Sequence, residues 1–514
     1  MKLSKLVFSV FFLVFVQASY SQAAPQVLWV NYPVSVQGPA FSVFRPAKVV
    51  DLEGDGVKEV ISFLSSGIPP TTRQGIYVWD PQGNLKPGFP VFPPALQAVY
   101  QSNIGSIVAI GNVMGNSEKE IVVTAGIDWV QPNNGIYVIS AQGQILAHID
   151  PNLLFSFPEK LSPILADLNN DGQDEIIVKT LQFVVGQSNW DKLQVYTHNG
   201  NGFVPFSPNW PFFPYQENLH GIAVDTFNNQ TTIFTQWSVS NIGYGRLRAF
   251  RPDGTILWTR DYPGGNQSFG DLNGQPYDGL MILGNIDGQP GDELVLSSQK
   301  KDCGSVPCLI KRAVNILDRN GNLIRQWSLP ASLGRILSAR YVSPTSDPFE
   351  LVLGDLNKDG KDEVVLLGSS GSFLFYDVQL WVFDGLTGQV QPGFPVPMPF
   401  TPYRKINSLG IADLDGDTFP DLYFKAWAPG AGNIGSSVLF AFDRAGGPLT
   451  GFNPFPLLNF YNYPPFTGAY DPSHAPITFS DINNDGLGDL IIPTVPGTIY
   501  AVTTNLPYIG QFCC

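Results

Sequence analysis

Residues 351–367 read Leu-Val-Leu-Gly-Asp-Leu-Asn-Lys-Asp-Gly-Lys-Asp-Glu-Val-Val-Leu-Leu. Two short apolar runs, Leu351-Val-Leu353 and Val364-Val-Leu-Leu367, bracket Gly354 and a largely polar nine-residue segment, 355–363. Runs of this length bounded by turn formers are buried strands. The segment between them sets oxygen-bearing side chains at its positions 1, 3, 5 and 9 (Asp355, Asn357, Asp359 and Glu363), with Gly360 at position 6.

The same nine-residue pattern recurs along the chain. It stands at 51–59 (DLEGDGVKE), 167–175 (DLNNDGQDE), 285–293 (NIDGQPGDE), 413–421 (DLDGDTFPD) and 481–489 (DINNDGLGD). Worn copies at 112–120 (NVMGNSEKE) and 225–233 (DTFNNQTTI) fill the gaps. Successive copies start 61, 55, 58, 60, 70, 58 and 68 residues apart. An irregular period near sixty indicates one structural unit with loops of variable length. Each copy is followed by a third apolar segment, such as Gly75-Ile-Tyr-Val-Trp79 or Leu380-Trp-Val-Phe383, and seven of these lead into a glycine-bearing turn and a fourth segment near proline. The unit is therefore four-stranded, with eight copies of its first three strands and seven internal copies of its fourth. The missing fourth strand is expected at 26–33, where Gln-Val-Leu-Trp-Val-Asn-Tyr-Pro resembles Thr-Ile-Leu-Trp-Thr-Arg-Asp-Tyr-Pro at 255–263. Lending it to the last unit closes a ring and covers two open sheet edges. The expected fold is all-β, a β-propeller of eight four-stranded blades closed by the N-terminal strand, with seven blades as the alternative.

Composition agrees with an all-β chain. The 514 residues include 52 Gly and 44 Pro, about one in five, which disfavours helical bundles. Hydrophobic residues make up 44% and aromatic residues 13%, enough for a large core and against disorder. Charged residues make up only 14%, against about 25% in an average protein. The net charge is −14 and no Lys/Arg cluster is present, so nucleic acid and anionic membrane surfaces are poor partners.

Residues 1–23 read as a secretory signal: Lys2 and Lys5, an apolar run from Leu6 to Val16 too short to span a bilayer, and small residues near Ala23. Residues 24–514 then form one propeller domain, exported (extracellular, periplasmic or at the cell surface), monomeric and without a membrane span. Cys303 and Cys308 bracket a short turn and could close a local disulfide, whereas the adjacent Cys513 and Cys514 are poorly placed to bond each other.

The distribution of acids points to a ligand. Of 43 Asp and Glu, 25 lie within the eight nine-residue windows. Crowding carboxylates into one tight turn is unfavourable unless a cation compensates. Ca²⁺ takes six to eight oxygens in flexible geometry, and alternating side chains at positions 1, 3 and 5 with a carboxylate at 9 can converge on one ion. The expected ligands are Asp51, Glu53, Asp55 and Glu59; Asp167, Asn169, Asp171 and Glu175; Asn285, Asp287, Gln289 and Glu293; Asp355, Asn357, Asp359 and Glu363; Asp413, Asp415, Asp417 and Asp421; and Asp481, Asn483, Asp485 and Asp489. That gives about five or six calcium ions. Met114 at position 3 and Ile233 at position 9 mark the two worn copies as metal-free turns.

The strand–DxDxDG–strand unit followed by a G-x-Y-V-type strand resembles the FG-GAP repeat, also grouped with VCBS-type repeats, of integrin α-subunit propellers and many secreted bacterial proteins. Phe-Gly and Gly-Ala-Pro elements are mostly lacking, Thr124-Ala-Gly126 being only a trace, and integrin propellers have seven blades. The resemblance implies a propeller with calcium in its DxDxDG loops, and it leaves an integrin-like ligand without support.

No catalytic signature stands out. His148, His198, His220 and His474 fall in different units, and HExxH, GxSxG and P-loop motifs are missing. The leading expectation is a calcium-stabilised binding or adhesion module for glycans or exported proteins. Exposed aromatics among Trp210, Phe212, Phe213, Trp237, Trp258 and Trp381 could stack on sugars, although inter-blade packing is the commoner fate of such residues. The alternatives are a polysaccharide lyase or hydrolase on a calcium propeller, which leaves enzymatic activity open, and a structural component of the cell envelope.

Overall fold

A computed structural model of the protein describes residues 26–31, 40–41, 47–66, 73–94, 108–125, 135–150, 163–182, 190–215, 217–239, 244–261, 281–302, 309–330, 335–336, 351–372, 375–397, 405–429, 435–449, 452, 455–457, 477–493 and 499–507. The secretory segment, all four cysteines and His474 lie outside them. The described residues contain strands and no helix, hence none long and apolar enough to cross a membrane.

Eight antiparallel sheets form the eight blades of a β-propeller. Blade 3 shows the plan: Ile164–Ala166, Glu175–Gln182, Trp190–His198 and Phe203–Pro205 pair in chain order. The last blade departs from it as expected. There Thr478–Ser480, Leu487–Pro493 and Ile499–Pro507 are completed by the N-terminal strand Gln26–Asn31. That strand runs antiparallel to the third, with Val27 opposite Val502 and Trp29 opposite Ala501. The register slips between those two pairs, at Leu28, which is exposed.

The apolar strands alternate side chains between the two faces of each sheet. Both faces are covered, because each blade is sandwiched between two others. The core is accordingly divided into eight clusters, one per junction between consecutive blades. The eighth joins Ile482, Ile491 and Ile499 of the last blade to Ala47, Val60, Tyr77 and Trp79 of the first. The ring is closed by packing as well as by strand pairing.

Two details differ from the sequence expectation. In blades 1 and 6 the first strand is split: Ala40–Phe41 and Lys48–Val50 pair with the same neighbour Glu59–Ser66, as Arg335–Ile336 and Val352–Gly354 pair with Glu363–Ser372. In blade 1 the outer segment at 84–91 makes only isolated bridges, Trp79 to Leu85 and Ile76 to Val91. Pro87 and Pro90 fall within it, and without N–H groups they cannot sustain a ladder.

The outer tryptophans serve the ring. Trp210, Trp258 and Trp327 each donate Nε1–H to a carbonyl in the outer turn of the next blade: Pro252 at 2.9 Å, Arg319 at 2.9 Å and Gly385 at 3.0 Å. Beneath Trp327 lies Gly388, with φ 73°, and a Cβ there would come within 2.4 Å of the indole. Trp237 and Trp381 are buried and Phe212 packs against Trp237 and Phe250, so packing accounts for these aromatics.

Candidate metal centres in the strand-connecting loops

The nine-residue loops join the first strand of a blade to the second, so all of them sit at the same end of the ring. Seven share one internal hydrogen-bond plan. The position-1 side chain turns inward and accepts N–H groups from positions 4 to 6; Asp51 takes those of Gly54 (2.7 Å), Asp55 (3.1 Å) and Gly56 (2.8 Å). In six of the seven, all but the loop at 285–293, the position-5 side chain accepts the N–H two residues on, as in Asp171 to Gln173 and Asp485 to Leu487. Position 4 is left-handed throughout, held by Gly54, Gly115, Asn170, Gly288, Lys358, Gly416 and Asn484.

Position 9 has a double character. One carboxylate oxygen accepts the N–H of the apolar residue at position 2: Glu59 from Leu52, Glu120 from Val113, Glu175 from Leu168, Glu293 from Ile286, Glu363 from Leu356, Asp421 from Leu414 and Asp489 from Ile482, all at 2.7–3.0 Å. The position-2 side chains are buried in the junction clusters, so this bond ties the loop to the core. The other oxygen is left for whatever the loop encloses.

What it meets differs from blade to blade. In blade 7, Asp413, Asp415 and Asp421 bring carboxylate oxygens within 4.8 Å of one another. Two ligands of one Ca²⁺ can lie at most about 5 Å apart, so these three suit a single ion. Burial pushes the Asp421 carboxyl up to about 9, with the charge of Asp415 adding to it, and burial also raises Asp413 and Asp415. In blade 8, Asp489 is fully buried and its Oδ1 accepts no hydrogen bond. Its carboxyl is raised to about 7, chiefly by burial, although hydrogen bonds from the Ile482 N–H and Thr503 oppose the shift. Glu175 and Glu363 are likewise pushed up to about 7 by burial and by neighbouring aspartates, and Glu293 is raised for the same reasons. Oxygen-rich, cation-poor loops of this kind fit a hard divalent ion.

The other loops hold something else. In blade 2, the Asn116 amide donates to Glu120 at 3.4 Å, while Met114 packs into the junction with blade 3. In blade 1, the Lys86 ammonium bonds Glu59 at 2.7 Å and also pairs with Glu53. In blade 4 there is no loop: Glu217–Phe227 and Gln230–Val239 run straight into a two-residue turn at Asn228-Asn229, φ 51° and 59°. That is the type I′ geometry of a tight hairpin. Ile233 is buried in the junction with blade 3, and Asp225 pairs with Arg319 of the next blade.

Adjacent loops are also clasped. Asp174 and Asp362, at position 8, each accept the N–H of the position-1 asparagine one blade earlier, Asn112 at 2.9 Å and Asn285 at 2.8 Å, and their own N–H groups bond back at 2.7 Å. Across the chain's seam, Lys58 donates to the Asp481 carbonyl at 2.6 Å. The sequence reading missed Lys86 and these clasps. For the clasps a signal existed: among the copies that form a loop, asparagine, not aspartate, stands at position 1 where the next blade offers aspartate at position 8. Among the described histidines, His148 stacks on Tyr137 and His198 leans on Phe203.

Residues 336–424, spanning blade 6 and the first part of blade 7, match the FG-GAP-like repeat family. The comparison with curated proteins gives no match. Among solved structures the chain is similar to an ulvan lyase of a polysaccharide lyase family (10% identity, 95% of this chain and 96% of that one covered, TM-score 0.35). It is also similar to an α-L-arabinofuranosidase from Fusarium graminearum in complex with an iminosugar inhibitor (10%, 82% and 98%, TM-score 0.36). A third is the fucose-specific lectin from Aleuria aurantia (10%, 68% and 97%, TM-score 0.31). Such distant likenesses carry no argument about ligand or chemistry.

Proposed function

We propose that this eight-bladed β-propeller, whose residues 336–424 match the FG-GAP-like repeat family, is an exported, calcium-stabilised binding module for glycans or other exported proteins. The observation that carries the calcium part is the convergence of Asp413, Asp415 and Asp421, with no cationic partner for Asp421 among the described residues. The same donor pattern extends the reading to the loops at 167–175, 285–293, 355–363 and 481–489. The loop at 51–59 has the donors too, and its Lys86 is taken up below. Calcium here is structural: it offsets repulsion between buried carboxylates and fixes the loops that form one face of the ring. Binding is favoured over catalysis because most of the buried acids belong to these loops, while Asp191 and Glu217 outside them are held in ion pairs with Lys179 and with Arg246 and Arg248.

The test has two parts. Calcium bound to the native loops and not to the unfolded chain stabilises by about 2.7 kcal/mol per site at a hundred times the dissociation constant. Melting in chelator should therefore fall well below melting in millimolar calcium, with several ions per chain by metal analysis. Identical curves with no metal retained would overturn the calcium assignment. A glycan array probed with and without calcium then tests the ligand class, and calcium-dependent release of product from any polysaccharide would move the reading to an enzyme.

A further inference from the structure

The outer segment of four blades passes the acidic loop at one equivalent place, marked by a single backbone bond to the third strand. Lys86 makes it to the Val78 carbonyl (2.8 Å), Phe206 to Val195 (2.9 Å), Gln391 to Val382 (2.9 Å) and Leu449 to Ala441 (3.0 Å). The backbone is the same and the side chains are not. Phe206 and Leu449 turn into the apolar junctions. Gln391 reaches the inner oxygen of its position-9 carboxylate, Glu363 Oε1, at 3.5 Å. Lys86 reaches the same atom of its own loop, Glu59 Oε1, at 2.7 Å and pairs with the position-3 carboxylate Glu53 as well. Its ammonium is largely enclosed, with 16% of the side chain exposed. The remaining ligand positions are quiet: both oxygens of Asp51 take backbone N–H groups, and Asp55 accepts from Val57.

We propose that blade 1 carries its own counter-ion, the Lys86 ammonium standing between Glu53 and Glu59 where a divalent cation would otherwise bind. The inference rests on the calcium reading of the other loops only for its contrast. Its content is that the 51–59 loop is calcium-free in the intact protein and becomes a calcium site when Lys86 is replaced. One ammonium between two carboxylates leaves one negative charge in place of two, and two or three oxygens cannot at once surround an ammonium and a Ca²⁺. A built-in cation also needs no ion from the medium, so blade 1, which packs against the last blade at the ring closure, would keep its loop order under chelation.

The experiment counts calcium on full-length mature protein, by equilibrium dialysis with metal analysis and by calorimetric titration. The variants are Lys86→Gln, which installs the residue that blade 6 uses at this place, and Lys86→Met. The expected result is one more calcium per chain in each variant than in the wild type, lost again in Glu53→Gln/Lys86→Gln. The variants should melt lower than the wild type in chelator and recover in calcium. Equal counts with equal affinities would overturn the inference while leaving calcium in the other loops intact. A wild type that binds none, beside a Lys86→Gln that binds one, would support the inference and remove the calcium reading elsewhere. Should the variants fold only in calcium, that too supports it; failure to fold in calcium and chelator alike would overturn it, since calcium would not have replaced the ammonium.

Discussion

The loop at 413–421 and the hairpin at 225–233 occupy the same place in two blades, three apart around the ring, yet they solve the turn in opposite ways. Blade 7 makes a long polar turn whose carboxylates at positions 1, 3 and 9 converge. Blade 4 lets both strands run on to a two-residue turn and puts Ile233 where Asp421 stands. The propeller does not require the acidic loop, for the hairpin places an apolar residue in the junction equally well. Where a loop does intervene, the position-9 carboxylate is needed to hold the position-2 N–H against the core, and its second oxygen becomes a buried charge. The loop thus creates an electrostatic problem that a bound cation would resolve, and the hairpin avoids it.

The comparison breaks most visibly if the carboxylate is moved. Ile233→Asp buries a charge in the junction with blade 3, where no loop amide or cation waits for it. It also removes an apolar side chain that is fully buried. A loss of at least about 3 kcal/mol is expected in chemical denaturation, with no recovery in calcium. Recovery in calcium would mean that the hairpin had opened into a loop.

The next effect is on pH. Carboxyls raised to about 7 at Glu175, Glu363 and Asp489, and to about 9 at Asp421, keep protons in the folded state that the unfolded chain has released. Where the folded state binds more protons, stability falls as pH rises, by about 1.4 kcal/mol per pH unit for each whole proton of difference. Without metal, stability should be greatest near the ordinary carboxyl range. It should drop most steeply up to about pH 7 and more gently from 7 to 9, where Asp421 alone still titrates. Calcium favours the ionised forms and should flatten the profile. A metal-free profile that rises from pH 5 to 9 would show that these carboxyls are not held in this way.

Much of this was legible in the sequence. Repeat counting gave the eight blades, and the mismatch between eight third strands and seven fourth strands pointed to 26–33, where the closing strand runs as Gln26–Asn31. The positions of the loop carboxylates were legible for the same reason, since position 9 follows directly from the start of the second strand. Lys86 was not: its partners lie 27 and 33 residues away, and only the fold of the outer segment brings them together. The blade 4 turn was half legible. Ile233 at position 9 set it apart from the acidic loops, but Asn-Asn in place of a stronger hairpin signal hid the tight turn, which needs positive φ at both residues.

Asp421→Asn sharpens the comparison from the blade 7 side. Asparagine keeps an acceptor for the Leu414 N–H and removes the charge that burial and Asp415 penalise. In chelator at pH 8 the variant should be more stable than the wild type by about 1.4 kcal/mol or more, which corresponds to a tenfold difference in proton affinity between the folded and unfolded chain. In millimolar calcium the order should reverse, because a ligand is lost. Curves that fail to cross between the two conditions would place the calcium, if any, away from Asp421.

The smallest effect is expected at Asp225→Asn. The sequence aligns Asp225 with the first ligand of the other loops, but here it lies within a paired strand opposite Thr232 and meets Arg319 from blade 5. The pair is partly exposed, 16% for Asp225 and 21% for Arg319, and Arg319 is also held over the Phe227 ring at 4.9 Å. Partly solvated pairs of this kind contribute about 1 kcal/mol or less, and the arginine keeps its ring contact when the charge opposite is removed. The variant should melt within a few degrees of the wild type. That small difference should be the same in chelator and in calcium and should shrink in high salt, as expected for an ion pair and not for a metal ligand. A loss that appears only in calcium would assign Asp225 to a metal after all, and the contrast between the hairpin and the loop would have to be drawn elsewhere.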